Sequence, residues 1–327
     1  SSAASDVYKR QFVDGVTTDD STQRAVSDAP SALPNIGNTC YFNALLQCLR
    51  QLLLRIPSGR LPKSTTCPLA IPLQHHDATS EEVAQWDCWK YLPVGCQRDA
   101  CQILELCLDD QGQMHRNCQV GDCYGKLLRS MTSFEQTLET LCHNCPYSSQ
   151  QSDTHCILRV EPDTDVQHSI QKALAVRGID GFKCESCGGT KARQQTGLCQ
   201  LPHTLIVHIN KYANCNGPRA SPSVLVSGTN LERIAVVHHV GNTPQSGHYT
   251  STVATQGGDI YHCNDQLINC EPRLNAQSWE NSFLIFLQVE KNCVAQQEVV
   301  VNADDESENA DCDLSLIHIS EPTRQAS

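Results

Sequence analysis

The order of apolar patterns along the chain predicts an α+β domain. Hydrophobic stripes with three- and four-residue steps occupy the first half, and short β-branched or aromatic runs parted by Gly, Asn and Pro follow Gly197. Helices first and antiparallel strands second argue against alternating βαβ units. No internal repeat competes with that reading.

Each element has its own local reason. Pro34, Gly37, Asn38 and Thr39 form a turn-rich approach, and Asn38 or Thr39 is expected to cap the helix that follows. Phe42, Leu45, Leu46, Leu49, Leu52 and Leu53 then line one helical face. Ala100, Ile103, Leu104, Cys107 and Leu108 repeat the period behind Asp99, and Val166, Ile170 and Leu174 repeat it ahead of Gly178. The expected strands are 205–209, 234–237, 249–253, 260–263 and 283–289.

The 327 residues are 39% hydrophobic, enough for one large domain or two modest ones. A net charge of −12 argues against a general nucleic-acid binder and leaves a basic protein or peptide partner open. Twenty cysteines admit disulfides, metal sites or reduced thiols. No charged n-region with an apolar h-region precedes the body of the chain, and no apolar run reaches a membrane span. A soluble, reduced, intracellular protein is therefore expected, either cytoplasmic or nuclear. The chain starts at Ser1 without methionine and reads as a fragment. Residues 1–11 and 314–327 read as non-native extensions, and 290–313 as an acidic disordered tail.

Cys40 stands between a Gly/Asn turn and the first turn of an amphipathic helix, where helix N–H groups and the dipole favour a thiolate. A nucleophile so placed needs a general base. Of thirteen histidines, His248 is best placed, because Gly247 before it permits a close backbone approach and a strand begins beside it. Asn264 and Asp265 end the run 260–263, and a hairpin turning at 256–259 would return them to His248. Separately, Cys142-His143-Asn144-Cys145 and Cys184-Glu185-Ser186-Cys187 form two C-x-x-C pairs, the second followed by Gly188-Gly189. Two such pairs suit a tetrahedral Zn²⁺ with four thiolates; a redox C-x-x-C is the alternative, with His143 an exposed spacer.

Taken together, these segments resemble a family. The stretch Leu33-Pro34-Asn35-Ile36-Gly37-Asn38-Thr39-Cys40-Tyr41-Phe42-Asn43-Ala44-Leu45-Leu46-Gln47 resembles the cysteine box of the ubiquitin-specific proteases. Val236-Val237-His238-His239, Ser246-Gly247-His248-Tyr249 and Asn264-Asp265 resemble its histidine box, in the same order. The resemblance covers residues 32–289, read as one catalytic domain. It implies a papain-like cysteine protease fold with thumb, palm and zinc-bearing fingers. It also implies Cys40 as nucleophile, His248 as base, Asn264 as the residue orienting it and Asn35 as an oxyanion donor. Cys142, Cys145, Cys184 and Cys187 become structural Zn²⁺ ligands. The implied activity is hydrolysis of thioester, peptide or isopeptide bonds at the C-terminal glycine of ubiquitin, with ubiquitin or ubiquitinated proteins as partners and neither nucleic acid nor membrane.

Three departures qualify the likeness. Asp99 is kept in a segment that helps hold the arginine-bearing substrate tail, but Gln102 replaces the usual Glu, which opens a preference for another ubiquitin-like modifier. The Gly/Pro/Ser/Asn-rich stretch between Tyr212 and Ile234 is short for a blocking loop, and no tryptophan precedes the Asn-Asp pair. None of these removes a catalytic side chain. A zinc-organised ubiquitin-binding pseudoenzyme is the rival from another class.

Overall fold

A computed structural model describes residues 28–92, 94–119, 121–211, 222–243, 246–271 and 281–289, and all that follows concerns these. Both expected extensions, 1–11 and 314–327, and the expected acidic tail 290–313 lie outside them. No described helix is long and apolar enough to cross a membrane.

The first helix, α1 (Cys40–Leu54), is the hub. Its apolar stripe is buried, with Phe42, Leu45, Leu46 and Leu52 fully inaccessible, but so is its polar side. Such a helix folds only if its polar groups find partners. They do: the Gln47 Nε2 donates to the Ser31 carbonyl at 2.6 Å, and the Arg50 guanidinium donates to the Pro72 carbonyl at 2.7 Å. Around it lie α2 (Ala70–Gln74), α3 (Ser80–Ala84), α4 (Ala100–Leu108) and α5 (Tyr124–Thr132). Thr79 and Glu82 start α3 with a reciprocal capping box. The α4 boundaries follow the stripe behind Asp99.

Two sheets follow. The first is antiparallel and small, with strand order β2-β1-β5-β4. Its members are β1 (Phe134–Cys142), β2 (Ser148–His155), β4 (Arg177–Ile179) and β5 (Ala192–Leu198). The second runs β11-β10-β9-β8-β12-β6-β3, with β7 also paired to β8. It comprises β3 (Ile157–Val160), β6 (Thr204–Ile209), β7 (Ser223–Val226), β8 (Thr229–Thr243), β9 (Ser246–Ala254), β10 (Ile260–Asn264), β11 (Leu267–Glu271) and β12 (Ser282–Val289). Only β3–β6 is a parallel pair; the other pairings are antiparallel.

The central strands are buried on both faces because each face has its own cover. Ile206, Leu284 and Phe286 join the core that contains α1, while the alternating Leu205, Val207, Ile285 and Leu287 join a second core with α6 (Val166–Leu174). Both periodicities therefore converge on one sheet. The strand expected at 234–237 is much longer, because Ser227 and Gly228, both at positive φ, turn β7 into β8 and extend the pairing back to Thr229. Part of the stretch expected to be a loop between Tyr212 and Ile234 is thus a hairpin; residues 212–221 lie outside the description.

Candidate active site

Cys40 is the first residue of α1 and is 4% exposed. The expected side-chain cap is not made: Thr39 occupies the N-cap, but its hydroxyl accepts from the Ile36 N–H at 3.2 Å instead. The reason lies in the loop, where Gly37 and Asn38 both take positive φ and the Asn35 Oδ1 accepts from the N–H groups of Gly37 and Thr39 at 3.2 and 3.0 Å. These bonds curl the loop on itself, so neither Asn38 nor Thr39 covers the helix end that carries the thiol.

His248 enters from β9 and Asn264 from the end of β10. The β9–β10 register, Cys263 opposite Ser251, brings them together, and Nε2–H of His248 donates to Oδ1 of Asn264 at 2.8 Å. That leaves Nδ1 for the thiol. The hydrogen bond with Cys40 is the largest influence on the imidazole and, opposed by burial and helped by Asn264, raises its pKa to about 9. His248 thus bridges Cys40 and Asn264, and the ring holds its proton more tightly than a free imidazole does.

Gly247 is needed for this approach. Its φ is +131°, and a Cβ there would lie 2.2 Å from the Val240 carbonyl oxygen. Across the hairpin a Cβ on Gly241 would meet the Ser246 carbonyl oxygen at 2.1 Å, so the two glycines let β8 and β9 cross closely just before His248. His239 packs against Tyr249 with ring centroids 4.3 Å apart, and burial with the Lys211 cation lowers its pKa to about 4. It is a neutral core histidine.

Asp265 does more than follow Asn264. At φ 50° it turns its carboxylate onto the cysteine loop, where it accepts from the Asn43 Nδ2 at 2.8 Å and the Asn35 Nδ2 at 3.0 Å. Its carbonyl accepts from the Leu33 N–H at 3.1 Å. One residue therefore ties the Cys40 loop to the strand end bearing Asn264. Asn43, not singled out from sequence, is the helical half of that clamp. Asn35 is exposed and keeps one of its two amide hydrogens beyond Asp265. Asp99 is 8% exposed and accepts from the Cys101 N–H at 2.7 Å as the N-cap of α4; burial raises its pKa. Gln102 is exposed on the same helix.

The β1–β5 register, which sets Cys142 opposite Ala192, brings the two C-x-x-C pairs to one end of the small sheet. The four sulfurs lie within 4.8 Å of one another, with Cys142–Cys187 at 3.8 Å and Cys145–Cys184 at 3.6 Å. A tetrahedral Zn²⁺ with Zn–S bonds of about 2.3 Å has S···S edges of about 3.8 Å, so the group fits. The N–H groups of Asn144 and Gly189 point at the Cys142 and Cys187 sulfurs at 3.3 and 3.4 Å, as suits thiolates. A Cβ on Gly189 would meet the Asn144 amide at 2.8 Å. His143 is exposed and outside the cluster.

No family model matches the chain. Among curated proteins it is 22% identical over 328 residues to ubiquitin carboxyl-terminal hydrolase 25 of Arabidopsis thaliana, across 81% of this chain and 48% of that protein. It is 27% identical over 308 residues to ubiquitin C-terminal hydrolase 15 of Oryza sativa subsp. japonica, across 79% of this chain and 31% of that one. The chain thus spans half or less of these relatives' length. Among solved structures, the Ubp8/Sgf11/Sus1/Sgf73 SAGA DUB module bound to monoubiquitin matches with a TM-score of 0.68 at 16% identity, over 83% of this chain and 73% of that one. The same module bound to ubiquitin aldehyde matches with a TM-score of 0.65 at 17% identity, over 81% and 70%.

Proposed function

We infer that this chain, a relative of the ubiquitin carboxyl-terminal hydrolases with the α+β fold of a ubiquitin-specific protease catalytic domain, is a deubiquitinating cysteine protease. The observation that carries the reading is His248 held between Cys40 and Asn264. An imidazole fixed at Nε2 presents Nδ1 to the thiol and can take its proton as the sulfur attacks. Cys40 adds to the carbonyl of the substrate's terminal glycine. Asn35 donates an amide hydrogen to the developing oxyanion, a contribution of about 3 kcal/mol for one such donor. His248 protonates the leaving amine, and water then hydrolyses the thioester. Asn264 orients the ring, and Asp265 positions Asn35 through its carboxylate.

The substrate proposed is ubiquitin joined through its C-terminal glycine, the partner named for the solved relatives. By their match to the family's motif, Asp99 and Gln102 are read as holding the substrate tail, although Asp99 also caps α4 with its carboxylate. Gln102 in place of an acid favours weaker hold on an arginine-bearing tail, and so keeps another ubiquitin-like modifier as the second reading. Cys142, Cys145, Cys184 and Cys187 would hold a structural zinc that stiffens the tip of the small sheet. A reducing compartment, cytosol or nucleus, suits both a thiolate nucleophile and a thiolate cluster.

The test is covalent capture with a ubiquitin carrying a C-terminal electrophile. A single adduct that disappears in Cys40→Ser is expected, and protein that binds ubiquitin without ever reacting would refute the enzyme. Parallel reactions with other ubiquitin-like modifiers decide the second reading.

A further inference from the structure

The remaining cysteines include a group no part of this chemistry uses. We propose that Cys67, His115, Cys118 and Cys123 form a second tetrahedral zinc site, in the helical part of the domain. It does not depend on the activity assigned above.

The donor atoms have the spacing such an ion needs. All four lie within 4.8 Å of one another. Cys67 Sγ is 3.8 Å from His115 Nδ1 and 4.0 Å from Cys123 Sγ, and Cys123 Sγ is 3.4 Å from His115 Nδ1. Bonds of about 2.3 Å to sulfur and about 2.0–2.1 Å to nitrogen give tetrahedral edges of about 3.8 Å for S···S and about 3.6 Å for S···N. The two sulfurs at 4.0 Å are free thiols and far beyond a bond of about 2.0 Å.

The imidazole is prepared for a metal. His115 is fully buried, and its Nε2 lies 3.0 Å from the carbonyl oxygen of Cys107 in α4. A carbonyl only accepts, so Nε2 carries the hydrogen and Nδ1 turns a bare lone pair toward three sulfurs. This is the outer-shell arrangement that orients metal-ligating histidines. The ring is wedged in place by α5: a Cβ on Gly125 would lie 2.3 Å from Nε2. Glycine is a poor helix residue, and here no larger one fits. Cys67 and Cys123 are each 1% exposed, while Cys118 is half-buried and opens the cluster toward solvent.

The ligands also come from segments that need a tie. Cys67 precedes α2, His115 and Cys118 lie in the irregular link between α4 and α5, and Cys123 is the N-cap of α5. Beside the cluster, Asp122 Oδ1 accepts from the N–H groups of Lys63 and Ser64 at 2.7 and 2.8 Å, joining the same two segments. Because α2 and α4 both pack on α1, a metal here would brace the helices around the one that carries Cys40.

Metal analysis of the full chain, purified under reducing conditions without chelator, decides this. About two zinc ions per chain are expected, falling to about one in Cys145→Ser/Cys184→Ser and to about one in Cys67→Ser/Cys123→Ser. Since the second pair of changes could unfold the protein, Co²⁺ is also loaded into the Cys145→Ser/Cys184→Ser chain. Thiolate-to-cobalt charge transfer and tetrahedral visible bands are expected there, and His115→Cys should keep the metal and move those bands to longer wavelength, as a fourth thiolate requires. One zinc per chain that vanishes with Cys145→Ser/Cys184→Ser, together with no cobalt spectrum in that variant, would overturn the proposal. So would a Cys67–Cys123 disulfide as the form isolated. One zinc that survives Cys145→Ser/Cys184→Ser and is lost with Cys67→Ser/Cys123→Ser would support this site and reject the other.

Discussion

Replacing Asn264 with alanine removes the acceptor 2.8 Å from His248 Nε2 while leaving the thiol and the imidazole in place. A hydrogen bond to a charged partner contributes about 1.5–3 kcal/mol, so the loss should lower kcat/KM by about 10- to 150-fold. The pH profile should move too. The His248 pKa is raised, to about 9, first by Cys40 and then, against burial, by Asn264. A raised pKa means that the imidazolium is kept at neutral pH and lost as pH climbs through about 9, which sets the alkaline limb of the wild-type profile. Without Asn264 the ring holds its proton less well, so that limb should shift to lower pH, and Asn264→Asp, with a full negative charge, should shift it back up. The assay is kcat/KM on a fluorogenic ubiquitin C-terminal amide, paired with the pH dependence of Cys40 alkylation. An Asn264→Ala enzyme within about twofold of wild type, with its alkaline limb unmoved, would refute the orienting role.

Four further substitutions test the reading. Gly247→Ala puts a Cβ 2.2 Å from a carbonyl oxygen at a φ of +131°, and should cost about 1–3 kcal/mol in a urea or thermal melt, with activity falling further because His248 is displaced. Asn35→Ala should lower kcat by about 10²–10³ with little change in KM, and Asp265→Ala should produce part of that loss by releasing both Asn35 and Asn43. If Asn35→Ala instead changes only KM, the oxyanion assignment fails. Gln102→Glu adds the acid expected from the resemblance to the ubiquitin-specific proteases, and should raise kcat/KM for ubiquitin relative to other ubiquitin-like modifiers; equal effects on all of them would remove Gln102 from substrate choice.

Local periodicity was sufficient for α1, α4 and α6, because the residues that make a helical stripe are neighbours in the chain and each of these stripes meets a core. It was insufficient for β2, whose residues are Ser148–His155 and are nearly all exposed. No alternation marks such a strand; it exists because β1 pairs with it along its whole length. The same limit hid β7, which forms through the Ser227–Gly228 turn and its pairing with β8.

The sequence by itself determined the class of this protein and the chemical types at its site: a cysteine at a helix start, a histidine behind a glycine, an Asn-Asp pair after a strand, and two C-x-x-C pairs. These are short motifs whose order survives without coordinates. Only the tertiary structure decided how they are joined. Asp265 reads as a turn residue until β10 brings it to Asn35 and Asn43, and the Asp99 carboxylate, expected at the substrate tail, is in the fold also the N-cap of α4. His115, Cys118 and Cys123 are near one another in the chain, but Cys67 lies before α2 and becomes their neighbour only in the fold, so this group was not singled out from sequence. Motifs are covalent and local; clamps and ligand sets depend on contacts that folding alone creates.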